Sequence, residues 1–93
     1  MPIPDTIDAI NKAINNIKKY SFTIEDVLDE TNRLYKEASN GTIGIVRDHF
    51  RNRVYWTLTD MLENYKIEVI DRIEGYYVYR EKKITNNDFD EEF

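Results

Sequence analysis

Cysteine is absent from this chain of 93 residues, which excludes disulfides and thiolate metal ligands. Histidine occurs once, as His49, so a His/Cys metal site has almost nothing to be built from. No Gly-rich phosphate loop, Ser/His/Asp set or pair of catalytic carboxylates stands out, so neither an enzyme nor a bound cofactor is expected. No apolar run approaches 18 residues, which excludes a membrane-spanning helix. The opening MPIPDTID has no basic stretch followed by an apolar one and does not read as a secretory signal. Together with the missing cysteine, this predicts an intracellular, cytoplasmic protein.

What is present reads as one folded domain. The hydrophobic fraction of 41% with 13% aromatic is ordinary for a globular chain. At this length the core is modest, and such domains often gain stability by oligomerising. The formal net charge is -5, which at first argues against a polyanionic partner. The charge is unevenly spread, however. Residues 42–58 carry Arg47, Arg51 and Arg53 against Asp48 alone, and residues 65–83 hold five basic and four acidic groups. The last ten residues, ITNNDFDEEF, contribute four acids and no base. Binding depends on the local field, so the overall acidity does not exclude nucleic acid.

Hydrophobic periodicity predicts three helices and a hairpin. The first helix is expected over residues 5–19, with Asp5 as N-cap and Ile7, Ile10, Ile14 and Ile17 on one face. That stripe can pack on the domain or form a dimer seam. In the second helix Thr23 and Asp26 form a capping box, and Phe22 and Val27 a hydrophobic staple. Ser39–Gly41 ends it, with Asn40 or Gly41 in the left-handed cap position. From Ile43 to Tyr65 the apolar period is helical throughout, but GTIGIV is a poor helix start. A short turn or single helical turn over 42–48 is therefore expected, then a main helix over 50–64. KIEVI and YYVYR alternate as strands around DRIEG, which reads as a five-residue turn ending in Gly75. The expected domain is residues 1–83, followed by an acidic, disordered tail over 84–93.

Helix, helix, helix, hairpin is the winged helix-turn-helix order, so the expected fold class is mostly α with a small β-hairpin. The segment RVYWTLTDMLENYKIEVIDRIEGYYVYR resembles the reading helix and wing of winged-helix regulators of the PadR and Fur types. Val54, Tyr55, Leu58, Leu62, Asn64, Val69 and Gly75 fall in the slots of that pattern. The chain departs from it in a longer segment over 40–50 and in Lys66, which stands where the helix end usually has glycine-leucine. Cysteine-free, Ile/Asn/Lys-rich winged helices of this length are common in archaeal viruses and plasmids. The layout is also similar to the small centromere-binding adaptors (the AspA type) of archaeal plasmid partition cassettes. That resemblance implies site-specific binding of double-stranded DNA, with a ParB-like and a ParA-like protein as partners.

A reading helix that begins near Phe50 puts Arg51, Asn52 and Arg53 in its first turn, toward base edges in the major groove. Arginine pairs bidentately with guanine and asparagine with adenine. Arg47 and His49 are then expected on phosphates, and Arg51, Asn52, Tyr55, Trp56 and Thr59 on the outer arc, with Arg53 at its edge. Trp56 is expected on a sugar or a thymine methyl. Arg72 at the wing tip, with Lys82 and Lys83 after the second strand, would make positioning phosphate contacts. The alternative is plainer: arginines at the start of an amphipathic helix pair with neighbouring acids, and a Trp beside a core stripe is half buried. The acidic carboxylates Asp26, Asp29 and Glu30 read as a solvated helix face.

Two function classes follow. The first is a homodimeric DNA binder that reads a palindrome, in transcriptional repression or plasmid partition. The second is a winged-helix adaptor whose arginines meet an acidic protein partner and never touch DNA. The Phe-terminated acidic tail resembles the partner-docking tails of single-stranded-DNA-binding proteins. It could also fold back over the basic helix and compete with DNA.

Overall fold

Asp5 opens the first helix by accepting a hydrogen bond from the Ile7 amide at 3.3 Å, and α1 spans Thr6–Ile17. This is a computed structural model; it describes residues 4–82. The buried face of α1 is Ala9, Ile10, Ala13 and Ile14. Ile7 is exposed and Ile17 half-buried, so the isoleucine stripe is rotated toward two alanines. Small side chains there let α2 approach closely. Ile10 and Ile14 are wholly consumed by the core, so the face turned outward is no longer an isoleucine seam.

The start of α2 (Ile24–Ala38) is as the sequence reads. The Asp26 amide donates to the Thr23 hydroxyl at 3.3 Å, and the Asp26 carboxylate accepts from the Thr23 amide at 2.9 Å. Phe22 and Val27 are both buried, completing the staple. Thr31, the one buried polar side chain among the described residues, donates to the Val27 carbonyl at 2.7 Å. Asn40 takes the left-handed position that ends the helix, with φ of 55°, and the Gly41 amide bonds back to the Lys36 carbonyl at 2.7 Å.

The third helix corrects the expected boundary. Residues 43–46 run without helix or turn, and α3 spans Arg47–Glu63, three residues earlier than Phe50. β-branched Ile43, Ile45 and Val46 favour extended backbone. Asn32 of α2 then pins that backbone by accepting the Ile45 amide at 2.9 Å. Val46 stands at the N-cap and offers no side-chain oxygen. The far end closes on Tyr65 with φ of 58°, while the Lys66 amide returns to the Met61 carbonyl at 2.9 Å. A tyrosine thus holds the backbone position that glycine usually fills, at a cost of about 1 kcal/mol.

The hairpin pairs β1 (Ile67–Ile73) with β2 (Tyr76–Glu81) antiparallel. Its turn is shorter than expected. Asp71, Arg72 and Ile73 belong to the strand, and Glu74 and Gly75 alone reverse the chain, with φ of 52° and 86°. Two consecutive positive φ values match the right-handed twist of the flanking strands. The register shifts between Val69 and Asp71, leaving Ile70 as the extra residue of a bulge. The base of the hairpin is held to the helices by Phe22. Its amide donates to the Tyr79 carbonyl at 2.9 Å, its carbonyl accepts from the Tyr79 amide at 2.7 Å, and the two rings stack at 5.6 Å. Ile67, Val78 and Tyr79 are buried there, while Ile70, Ile73, Tyr76 and Tyr77 further out are exposed. Three helices followed by a projecting antiparallel hairpin make the winged helix-turn-helix order.

Candidate nucleic-acid interface

Val54 and Leu58 have no exposed surface and fix α3 against the body, with Phe50, Met61 and Leu62 packed around them. At 100° per residue, Asn52 and Trp56 then point away from the core. His49, Asn52, Arg53, Tyr55 and Trp56 are all exposed, Trp56 at 66%. A half-buried Trp56 beside the core stripe is therefore not what the fold produces. Its ring instead meets Tyr55 edge-on at 5.4 Å. Arg53, Trp56, Thr57 and Asp60 also line one wall of a shallow groove of about 430 Å³, whose other wall is Ile7 and Asn11 of α1. Among the described residues, the side chains of His49, Asn52 and Arg53 make no hydrogen bond or ion pair. The acids of the outward arc are Asp48 in the first turn and Asp60 and Glu63 near the end, so positions 49–56 between them are free of acids.

The other two arginines of the segment behave differently. Arg47 and Arg51 lie one turn apart on the side of α3 that faces α2. Arg47 reaches Asp29 at 2.7 Å and Glu25 at 2.8 Å, and Arg51 takes the second oxygen of Glu25. The two guanidinium groups, Arg51 first and Arg47 second, hold the Glu25 carboxyl below its ordinary 4.5. Glu25 and then Asp29 in turn raise the Arg47 guanidinium. Arg47, Arg51, Glu25 and Asp29 together carry no net charge. Asp29 thus belongs to an inter-helix network rather than to a merely solvated face. Glu30 is likewise engaged; Arg33 and Asn16 hold its carboxyl low. The signal was available in the spacing: Glu25 and Asp29 are four apart on one helix, as are Arg47 and Arg51 on the next.

On the hairpin, Arg72 is a strand residue paired opposite Tyr77, one pair below the turn. Its guanidinium lies over the Tyr77 ring at 5.6 Å. Arg80 is taken by Glu68 at 2.7 Å. Lys82 sits over Tyr65, at the C-terminal end of α3. A helix of 17 residues is about 25 Å long, so Lys82 and His49 stand near opposite ends of it. The fold therefore brings His49, Asn52, Arg53, Tyr55 and Trp56 together, sets Arg47 and Arg51 on the flank, and leaves Lys82 apart. Lys83 and the acidic tail lie outside the described residues. Comparison of the chain with family models, curated proteins and solved structures returned no match.

Proposed function

We propose that this chain is a site-specific binder of double-stranded DNA that lays α3 in the major groove, acting in transcriptional repression or plasmid partition. The observation that carries the reading is the outward arc of α3 over residues 49–56, which holds no acid. It presents a guanidinium, an amide, an imidazole and an indole side by side on a helix locked by its own core stripe. Arg53 offers bidentate donors to guanine and Asn52 the matching pair for adenine. Trp56 supplies apolar contact to a thymine methyl or sugar, and His49 and Arg72 reach phosphates. A homodimer would set two such helices about 34 Å apart on a palindrome. In the partition role a ParB-like protein would be the further partner.

A protein-interaction adaptor is the second reading, and one observation favours it: the outer hairpin exposes Ile70, Ile73, Tyr76 and Tyr77. A salt titration on duplexes selected from a random library separates the two. The DNA reader loses affinity linearly in log–log form, with a slope that counts phosphate contacts. Asn52→Ala and Arg53→Ala should each cost about 1–3 kcal/mol on the preferred site and relax its sequence preference. Unchanged selectivity in both variants would move the reading surface off α3.

A further inference from the structure

We propose that Glu25 and Asp29 stand in for DNA phosphates on Arg47 and Arg51, so that duplex binding exchanges these carboxylates for phosphate and α2 sets the affinity of α3. The inference rests on the DNA reading above and extends it to the flank of the reading helix.

Glu25 presents one oxygen to each arginine, as a phosphate presents its two unesterified oxygens, and Asp29 accepts from the other terminal nitrogen of Arg47. Four charges cancel within one cluster, so a phosphate arriving there meets no net positive field and releases few counterions. The cluster is at the surface: the arginine side chains are each 38% exposed, Glu25 31% and Asp29 69%. Ion pairs in that setting are worth about 0–1 kcal/mol each, which a polyanion can displace.

A second feature points the same way. The positive N-terminus of α3 has no side-chain cap, because Val46 stands in that place, and its first turn sets Arg47 beside a single acid, Asp48. Such an end calls for an anion. In the free protein Asp48 in the first turn is one such anion, and Glu25 and Asp29 add theirs through Arg47; on DNA the phosphate backbone can take over from the latter two. The arginines are not needed to hold the helix, since Val54 and Leu58 already do so from the core.

The test uses the full chain and a duplex selected from a random library by the wild type. Affinities are measured between 50 and 200 mM salt for the wild type, Asp29→Asn, Glu25→Gln and the double variant, with circular dichroism confirming the fold of each. The double variant should bind more tightly, with a log–log salt slope steeper by about 1.8, two phosphates at about 0.9 each. Over that fourfold salt range the steeper slope adds about a twelvefold loss of affinity. Adding Arg47→Ala and Arg51→Ala to the double variant should return the slope to the wild-type value. Wild-type duplex binding with an unchanged slope, or weaker binding, in the acid variants overturns this inference alone; the acids would then position the arginines. A double variant that loses its fold passes the decision to Asp29→Asn, expected to steepen the slope by about half as much. Absence of duplex binding in every protein overturns the DNA reading and this inference with it.

Discussion

Replacing Phe22 by alanine should uncouple the hairpin from the helices. Phe22 lies in the link between α1 and α2, yet its ring is 1% exposed. It holds the wing in two ways, through paired backbone bonds to Tyr79 at 2.9 and 2.7 Å and through a ring stack at 5.6 Å. The same ring staples the first turn of α2 by packing near Val27. Truncating a buried Phe costs about 3–5 kcal/mol, of which the aromatic pair is about 0.5–1.5 kcal/mol. A domain of this size has a total stability of about 5–14 kcal/mol, so the variant keeps only part of it. With a urea m value of about 1–2 kcal/mol/M, a loss of 4 kcal/mol lowers the midpoint by about 2–4 M. Phe22→Leu keeps most of the volume and the backbone bridge, and should lose about half as much or less. Urea unfolding followed by far-UV circular dichroism measures both. A loss below about 1 kcal/mol for Phe22→Ala would refute the view that this ring is the joint between wing and body.

Two further outcomes follow from contacts elsewhere in the domain. Gly44→Ala places a Cβ 2.9 Å from the Asn32 Oδ1, the atom that accepts the Ile45 amide. It should cost about 1–3 kcal/mol and raise hydrogen exchange at the Ile45 to Asp48 amides, whereas unaltered exchange would mean that Asn32 does not fix where α3 begins. Acid should weaken the fold through Glu25 and Glu30, whose carboxyls lie below their ordinary 4.5 in the folded chain. Groups depressed in this way stabilise fully above the unfolded value and lose that contribution as pH falls through the folded value. Stability should therefore decline below pH 4.5, and Glu25→Gln should flatten part of that decline, by about 1 kcal/mol or less for pairs this exposed. An identical pH profile in the variant would show that the cluster adds nothing to stability.

Where local chemistry decides structure, the sequence was readable. The Thr23–Asp26 box, the Phe22–Val27 staple and the left-handed Asn40 all act within a few residues, and each stands where its pattern put it. The start of α3 at Arg47 is hidden in the sequence because the apolar period runs unbroken from Ile43. The residue that ends the extended loop, Asn32, is thirteen positions away from the amide it holds. The short turn is hidden for a similar reason. Asp71 is a poor strand former, but a bulge at Ile70 lets it pair with Val78 and leaves the reversal to Glu74 and Gly75. At the candidate interface, Thr59 is half-buried and Arg53 stands more fully in the arc than its edge position implied, while the outward direction of Asn52, Tyr55 and Trp56 followed from the helical period around Val54 and Leu58. The fate of Arg47 and Arg51 did not, since it depends on how α2 crosses α3 and on carboxylates that look solvated when α2 is read alone.

The central claim is that the arc from His49 to Trp56 reads a DNA sequence. Footprinting on DNA flanking the protein's own gene tests it most directly, with wild type and Arg53→Ala side by side. The account predicts that the wild type protects a short palindrome and that Arg53→Ala loses this protection. Protection confined to the palindrome would favour repression, and protection that spreads outward with concentration would favour partition. Uniform protection of any sequence, or none at 50 mM salt, would contradict the account.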